Sequence, residues 1–209
     1  MNNNILKIVL SLVLISFLSV SLSKGEEGMS NDIDLIVESS KKIVSIGDEI
    51  EFIYTFLNNS QNSIYILPWG GEYVTNWIVA YDSDGNKLPD IPSVFYELKI
   101  IPQKEDFVLV ESRKSYSIKI KGKIIKTKLS KFGKADQKKY KGMFLDFDNS
   151  AIFLNGTDNF TVKAFYEGRE EWRKKGKELY NLDNIWSGKL ESNEIKIVLK
   201  KKKTAGRDR

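Results

Sequence analysis

The chain has 209 residues, 41% hydrophobic and 29% charged, with a formal net charge of +5, a globular balance with length enough for one sizeable core. It contains no Cys and no His. That excludes Cys- or His-ligated zinc, Ser-His-Asp and Cys-His nucleophilic machinery, c-type haem attachment and disulfides. Carboxylate, Lys, Tyr and Ser/Thr chemistry stay open, and nothing in the composition asks for a cofactor or a metal.

Residues 1–23 read as an export signal. Lys7 and the amino terminus supply positive charge, and Ile8 to Val20 supplies an apolar run of about 13 residues, short of the roughly 20 that a membrane span needs. Ser21 and Ser23 are small residues suited to a cleavage site, placed after Ser23; the other reading of the run is an uncleaved anchor. Because no Cys follows it, lipid attachment at a lipoprotein-type cysteine is excluded. The expected product is secreted, periplasmic or extracellular.

After a polar leader, residues 24–31, a β domain is expected over 32–200, followed by a basic tail, 201–209. Ile33, Leu35 and Val37 alternate in a first strand, and Ser45-Ile46-Gly47-Asp48 turns into the central one. There Ile50, Phe52, Tyr54 and Phe56 recur every second residue, while Ile53, Thr55 and Leu57 between them are mostly apolar, so both faces expect cover. Asn58 to Asn62 is a turn, because Asn tolerates positive φ and Ser and Asn bond their own backbone. Ser63 to Leu67 is the next strand, and Pro68 to Tyr73 is a loop whose two glycines let large rings approach the backbone.

Trp77, Val79 and Tyr81 alternate before the Asp-Gly hairpin of residues 82–87. Leu88 to Pro102 holds three of the four prolines, which predicts an edge or an irregular crossing. Tyr96 to Ile101 and Phe107 to Val110 are short strands. In the following strand Tyr116, Ile118 and Ile120 point one way and Ser117, Lys119, Lys121 and Lys123 the other, leaving one wet, cationic face. Lys126 to Gly142 reads as an exposed loop and Phe144 to Leu154 as a hairpin turning at Asp148-Asn149-Ser150. Phe160 to Tyr166 and Ile195 to Leu199 are late core strands. Between them, Gly168 to Gly188 has Glu170 with Lys174 and Glu171 with Lys175 at helical spacing, but Gly176 weakens a helix, so a long loop with two helical turns is expected.

About ten short strands without helix–strand alternation predict an all-β fold, an immunoglobulin-like antiparallel β-sandwich of Greek-key type, with a closed barrel as the alternative. The run EFIYTFLNNSQNSIYILPWGGEY, the following DSDGNKLP and the closing NIWSGKLESNEIKIVL resemble secreted immunoglobulin-like sandwich domains such as the pro-region of deuterolysin-type metallopeptidases. The intracellular proteinase inhibitor family is a looser likeness. The resemblance implies a sandwich over most of 32–200 and hints at peptidase-related biology. In those peptidases a zinc domain follows the sandwich, whereas this sequence contains no His.

Asp82, Asp84 and Asn86 imitate the start of a calcium loop, but Lys87-Leu88-Pro89 follows where a closing carboxylate is needed, so a hairpin is the expectation. Asp146, Asp148 and Asn149 read as a turn. Glu170/Glu171 or Asp146/Asp148 offer carboxylate pairs for a hydrolase, though neighbours on one element do not face each other. Trp69, Tyr73, Trp172, Tyr180 and Trp186 stand in or beside loops, where they bind a ligand or plug the ends of the sandwich. Asn58, Asn155 and Asn159 begin Asn-x-Ser/Thr sequons.

Charge is the strongest anomaly. From Arg113 to Lys141 twelve basic residues stand against the single acid Asp136. Lys119, Lys121, Lys123, Lys126 and Lys128, with Trp69 and Tyr73, are the candidate binding residues. A solvated face is the plain alternative. The functional expectation is an exported, non-catalytic binding module, its partner an anionic cell-surface polymer, lipid headgroups or a protein; nucleic acid does not suit an exported chain. A peptidase-associated inhibitor or pro-domain-like regulator is the alternative and a carboxylate-dependent hydrolase the third reading. The export reading predicts that protein recovered from its native host begins near Lys24 by intact-mass analysis. Recovery of the full-length chain embedded in membrane would overturn it.

Overall fold

The computed structural model describes residues 32–68, 78–92, 102–127, 140–147, 150–154 and 156–200. The expected export segment and leader, the expected Tyr96–Ile101 strand, the turn at Asp148-Asn149 and the basic tail lie outside the described residues. The strands are β1 (Ile33–Ser39), β2 (Ile43–Ser45), β3 (Glu49–Asn58), β4 (Ile64–Ile66), β5 (Ile78–Tyr81), β6 (Asp90–Pro92), β7 (Val108–Val110), β8 (Ser115–Thr127), β9 (Gly142–Asp146), β10 (Ser150–Phe153), β11 (Asn159–Gly168), β12 (Gly188–Glu191) and β13 (Ile195–Lys200). One α-helix, α1 (Glu170–Tyr180), interrupts them.

Alternation in β3 sets the first sheet. Ile50, Phe52, Tyr54 and Phe56 are almost completely buried, while the residues between them are half-buried, so only one of the two faces expected to be covered is fully enclosed. The sheet runs β1-β3-β8-β9-β10-β6, every neighbouring pair antiparallel. In the second sheet β11 pairs on one edge with β5 and on the other with β13 and β12 in succession. The last pair breaks the antiparallel expectation: β2 lies parallel to β13. The chain therefore leaves the first sheet after β1, joins the second as β2, and returns as β3.

One apolar core joins the two sheets. It holds Leu35, Phe52, Tyr54, Phe56, Ile118 and Ile124 from the first, with Phe160, Val162, Tyr166, Ile197 and Leu199 from the second. Phe56 meets Tyr166 edge-on at 5.0 Å, and Tyr166 stacks on Trp186 at 5.5 Å. Each large apolar side chain enclosed this way contributes about 1.5–3 kcal/mol. Asn193 ties the sheets at their rim. In the irregular stretch between β12 and β13, its amide accepts from the Val37 N–H (2.9 Å) and donates to the Val37 carbonyl (3.1 Å), standing in for a strand neighbour on the edge of β1.

β4 and β7 form a two-stranded ribbon whose outer side, with Leu67 and Phe107, receives Leu182 and Ile185 and is flanked by Trp172 and Tyr180. Here the sequence expectation is corrected, because the helix continues for 11 residues through Gly176. Gly176 is buried where a Cβ would stand 2.3 Å from Ile185 Cδ1 and 3.0 Å from Phe107 Cζ. Its poor helix propensity is the condition for docking rather than a break. Asn181 ends the helix in the left-handed region (φ 53°), its N–H bonding back to Lys177 O at 3.1 Å.

Gly176→Ala therefore sets a helix-propensity gain of about 1 kcal/mol against overpacking of roughly 1–3 kcal/mol, since the end of the Ile185 side chain must turn away inside a filled cluster. Urea denaturation followed by circular dichroism is expected to show net destabilisation. A stabilised variant would show that α1 does not sit as close to Ile185 as described.

Candidate functional site

Two places on the described surface concentrate polar chemistry: the outer face of the first sheet, and a cleft where α1 begins. On the first, register decides what the lysines meet. Lys119, Lys121 and Lys123 are exposed and project from the face of β8 opposite the core. Residues two apart on a strand are about 6.8 Å apart, so the three amines span about 14 Å. They do not stand alone. Cross-strand pairing sets Glu51 opposite Lys121, Glu49 and Asp146 on either side of Lys123, and Ile53 opposite Lys119. Lys119 reaches diagonally to Glu51 at 3.3 Å. Lys121 and Lys123 make no ion pair among the described residues.

Lys126 leaves this row. It shares the parity of core residue Ile124 and projects from the opposite face of β8, exposed. Lys128, Trp69 and Tyr73 lie outside the described residues. The face expected to be purely cationic is thus a row of amines beside a row of carboxylates. Further along the sheet its outer side is apolar, since Phe144, Ala151, Phe153 and Ile91 form a second buried cluster with Ile125 and Tyr140 against it.

The cleft, about 330 Å³, is lined by Glu167, Gly168, Arg169, Glu170, Ser187, Gly188 and Lys189. Its floor is set by a close packing. A Cβ on Gly168 would meet the Trp186 carbonyl at 2.8 Å, and Gly188, at φ 147°, lies against the Trp186 ring. Glu170 is committed within it. Arg173 donates to both carboxylate oxygens, through Nε to Oε2 at 2.6 Å, and Ser187 Oγ donates to Oε2 at 3.1 Å. The Arg173 hydrogen bond first, then that of Ser187, hold the Glu170 carboxyl down to about 2.

A carboxylate held so low is a poor base for Ser187 or for a water. Glu171, its proposed partner in hydrolysis, turns instead to Lys175 at 2.7 Å, and it does not line the cleft. The cleft residues come from β11, α1, β12 and the residues that adjoin them, with no period or motif linking them, so Glu170 is the one of them that the sequence offers as a candidate.

Other candidates are absorbed by structure. Asp82 accepts from the N–H groups of Asp84 (2.9 Å) and Asn86 (2.8 Å) and from Asn86 Nδ2 (3.1 Å), the self-bonded turn of a hairpin. Among the described residues no group of three Asp or Glu is placed to hold a metal ion. Trp186 is buried beneath the two glycines, Tyr180 donates to the Pro102 carbonyl at 2.9 Å, and Trp172 is half-buried under the Lys175 amine. Asn58 is fully buried; its amide donates to the carbonyls of Asn62, Val110 and Glu111 and accepts from Ser60. That sequon is closed to glycosylation in the folded chain.

No family model matches the chain, and no curated protein matches it in sequence. The chemistry must therefore be tested on the site itself. Because the Glu170 carboxyl is lowered in the folded state, the contribution of its ion pair is present at neutral pH and is lost only as pH falls through about 2. A carboxyl-detected NMR titration is expected to show Glu170 ionised throughout the range where ordinary glutamates protonate. In Arg173→Ala the midpoint should return to the ordinary range.

Proposed function

We propose that the chain is an exported, non-catalytic binding domain of immunoglobulin-like type whose lysine row on β8 takes an anionic polymer of the cell surface. The fold part of this reading is supported by strand order. A first sheet built on β1-β3-β8 opposes a second built on β5-β11-β13, and the first strand divides between them, its second half running parallel to the last strand. Sheets divided A-B-E against C-F-G have this arrangement. The resemblance of residues 51–73 and 184–199 to secreted sandwich domains agrees with it.

The observation that carries the binding reading is the regular row of exposed Lys119, Lys121 and Lys123, two of them without an ion pair among the described residues. A repeating anionic chain lying along β8 meets an amine about every 6.8 Å. The carboxylates of Glu49, Glu51 and Asp146 weaken the attraction beyond a Debye length of about 8 Å, so recognition is short-range and salt-sensitive. Against catalysis stand the commitment of Glu170 to Arg173 and the separate pairing of Glu171.

The triple variant Lys119→Gln, Lys121→Gln, Lys123→Gln tests this. Gln is chosen because Glu would set like charges opposite Glu49, Glu51 and Asp146 and destabilise the sheet. Wild-type protein is expected to bind a polyphosphate or polyuronate chain at low ionic strength and release it as salt rises, and the variant is expected to lose that binding with its stability nearly unchanged. Binding to anionic vesicles but to no polymer would assign the row to lipid headgroups instead. Failure of wild-type protein to bind any polyanion at low salt would leave the row a solvated face.

A further inference from the structure

Among the described residues β6 is the last strand of the first sheet. It pairs with β10 over three residues, Asp90 with Ile152, Ile91 with Ala151 and Pro92 with Ser150, and the Phe153 N–H donates to the Pro89 carbonyl at 2.9 Å. Pro92 has no N–H to give. Register also decides where Asp90 points. Its partner Ile152 faces the main core, as do Leu145 and Ile124 further across the sheet. The carboxylate therefore lies on the apolar side, and its Oδ1 is fully enclosed with no hydrogen-bond partner among the described residues.

We propose that β6 is a proton-latched edge: it is held on β10 when Asp90 is protonated and loosened when Asp90 is ionised. An enclosed carboxylate oxygen without a donor is costly when charged and tolerable when the group is neutral. The surroundings offer little compensation. Lys87, on the turn before β6, is the one charge among the described residues that acts on it, and the Ile91 N–H lends only slight support; Leu88, Ile152 and Leu145 are apolar. Burial prevails over both and pushes the carboxyl up to about 6.

The sign is the reverse of the usual carboxylate. A group raised in the folded state stabilises attachment at low pH, and that stabilisation is lost as pH rises through about 6. Release uncovers the edge of β10, whose four residues are buried. Unpaired edges of that kind accept other extended chains.

Amide hydrogen exchange at Phe153 reads the latch directly, since its N–H is bonded to the β6 side. After correction for intrinsic exchange, its protection is expected to rise about tenfold between about pH 7.5 and about pH 5 in wild-type protein. In Asp90→Asn the rise should vanish. Protection that is flat over this range in wild type, or rises equally in Asp90→Asn, would overturn the proposal. The Asp90 carboxyl of the wild-type protein supplies a check that needs no variant: a titration midpoint near 4 rather than near 6 would also overturn it.

Discussion

Ile50, Phe52, Tyr54 and Phe56 occupy one face of β3 at 1% exposure or less, and the placement of the other strands follows from covering them. A half-apolar strand cannot leave four such side chains in water, since each enclosed one is worth about 1.5–3 kcal/mol. β1 and β8 extend the same face sideways, and β11 and β13 close over it. Burial this complete also fixes polar atoms. The hydroxyl of Tyr166, on the opposing strand, receives the Leu67 N–H at 3.2 Å, and burial pushes its phenol up to about 12. Enclosed there, the phenol stays protonated near neutral pH.

The row ends in an asparagine rather than a hydrophobic residue. Asn58 continues the inward parity of β3 and is as buried as Phe56, but its amide gathers carbonyls from the turn after β3 and from the end of β7. An enclosed amide is tolerable only when its bonds are filled. Here that requirement holds two loops in one arrangement at the end of β3. Asn193 serves the opposite purpose from an irregular stretch. It supplies the bonds that an edge strand lacks, and it does so across the gap between sheets.

The same constraint shapes what faces water. With the core face of β8 committed, its alternate residues have nowhere to go but the outer face, and Lys119, Lys121 and Lys123 keep their charge in water there. The row of carboxylates beside them comes from register, because each β3 residue is set opposite a particular β8 residue. Charge balance on the surface is thus a product of strand pairing, and the run of basic residues in the chain overstates it.

Much of this was legible in order along the chain. Period-two alternation located β1, β3, β8, β11 and β13, whereas in β5 Ile78 and Ala80 enter the core and Val79 and Tyr81 are only half-buried; the prolines after Leu88 marked the last strand of the described first sheet, and Asp-Gly marked the hairpin before it. These signals are local: side-chain parity and turn chemistry need only neighbouring residues. What escaped depended on contacts distant in sequence. Gly176 read as a helix breaker because the side chain of Ile185 that demands it lies on another segment. β12 is too short to show a period, and the parallel pairing of β2 with β13 joins residues far apart in the chain. Lys126 seemed to belong with Lys119, Lys121 and Lys123 until parity separated it. By itself, then, the amino-acid sequence determined an all-β core, its central strand and the absence of Cys and His chemistry, since these follow from residue type and local pattern. The tertiary structure alone decided which carboxylates meet which lysines, where Asp90 points and how α1 docks, because each is set by register and close packing between distant segments.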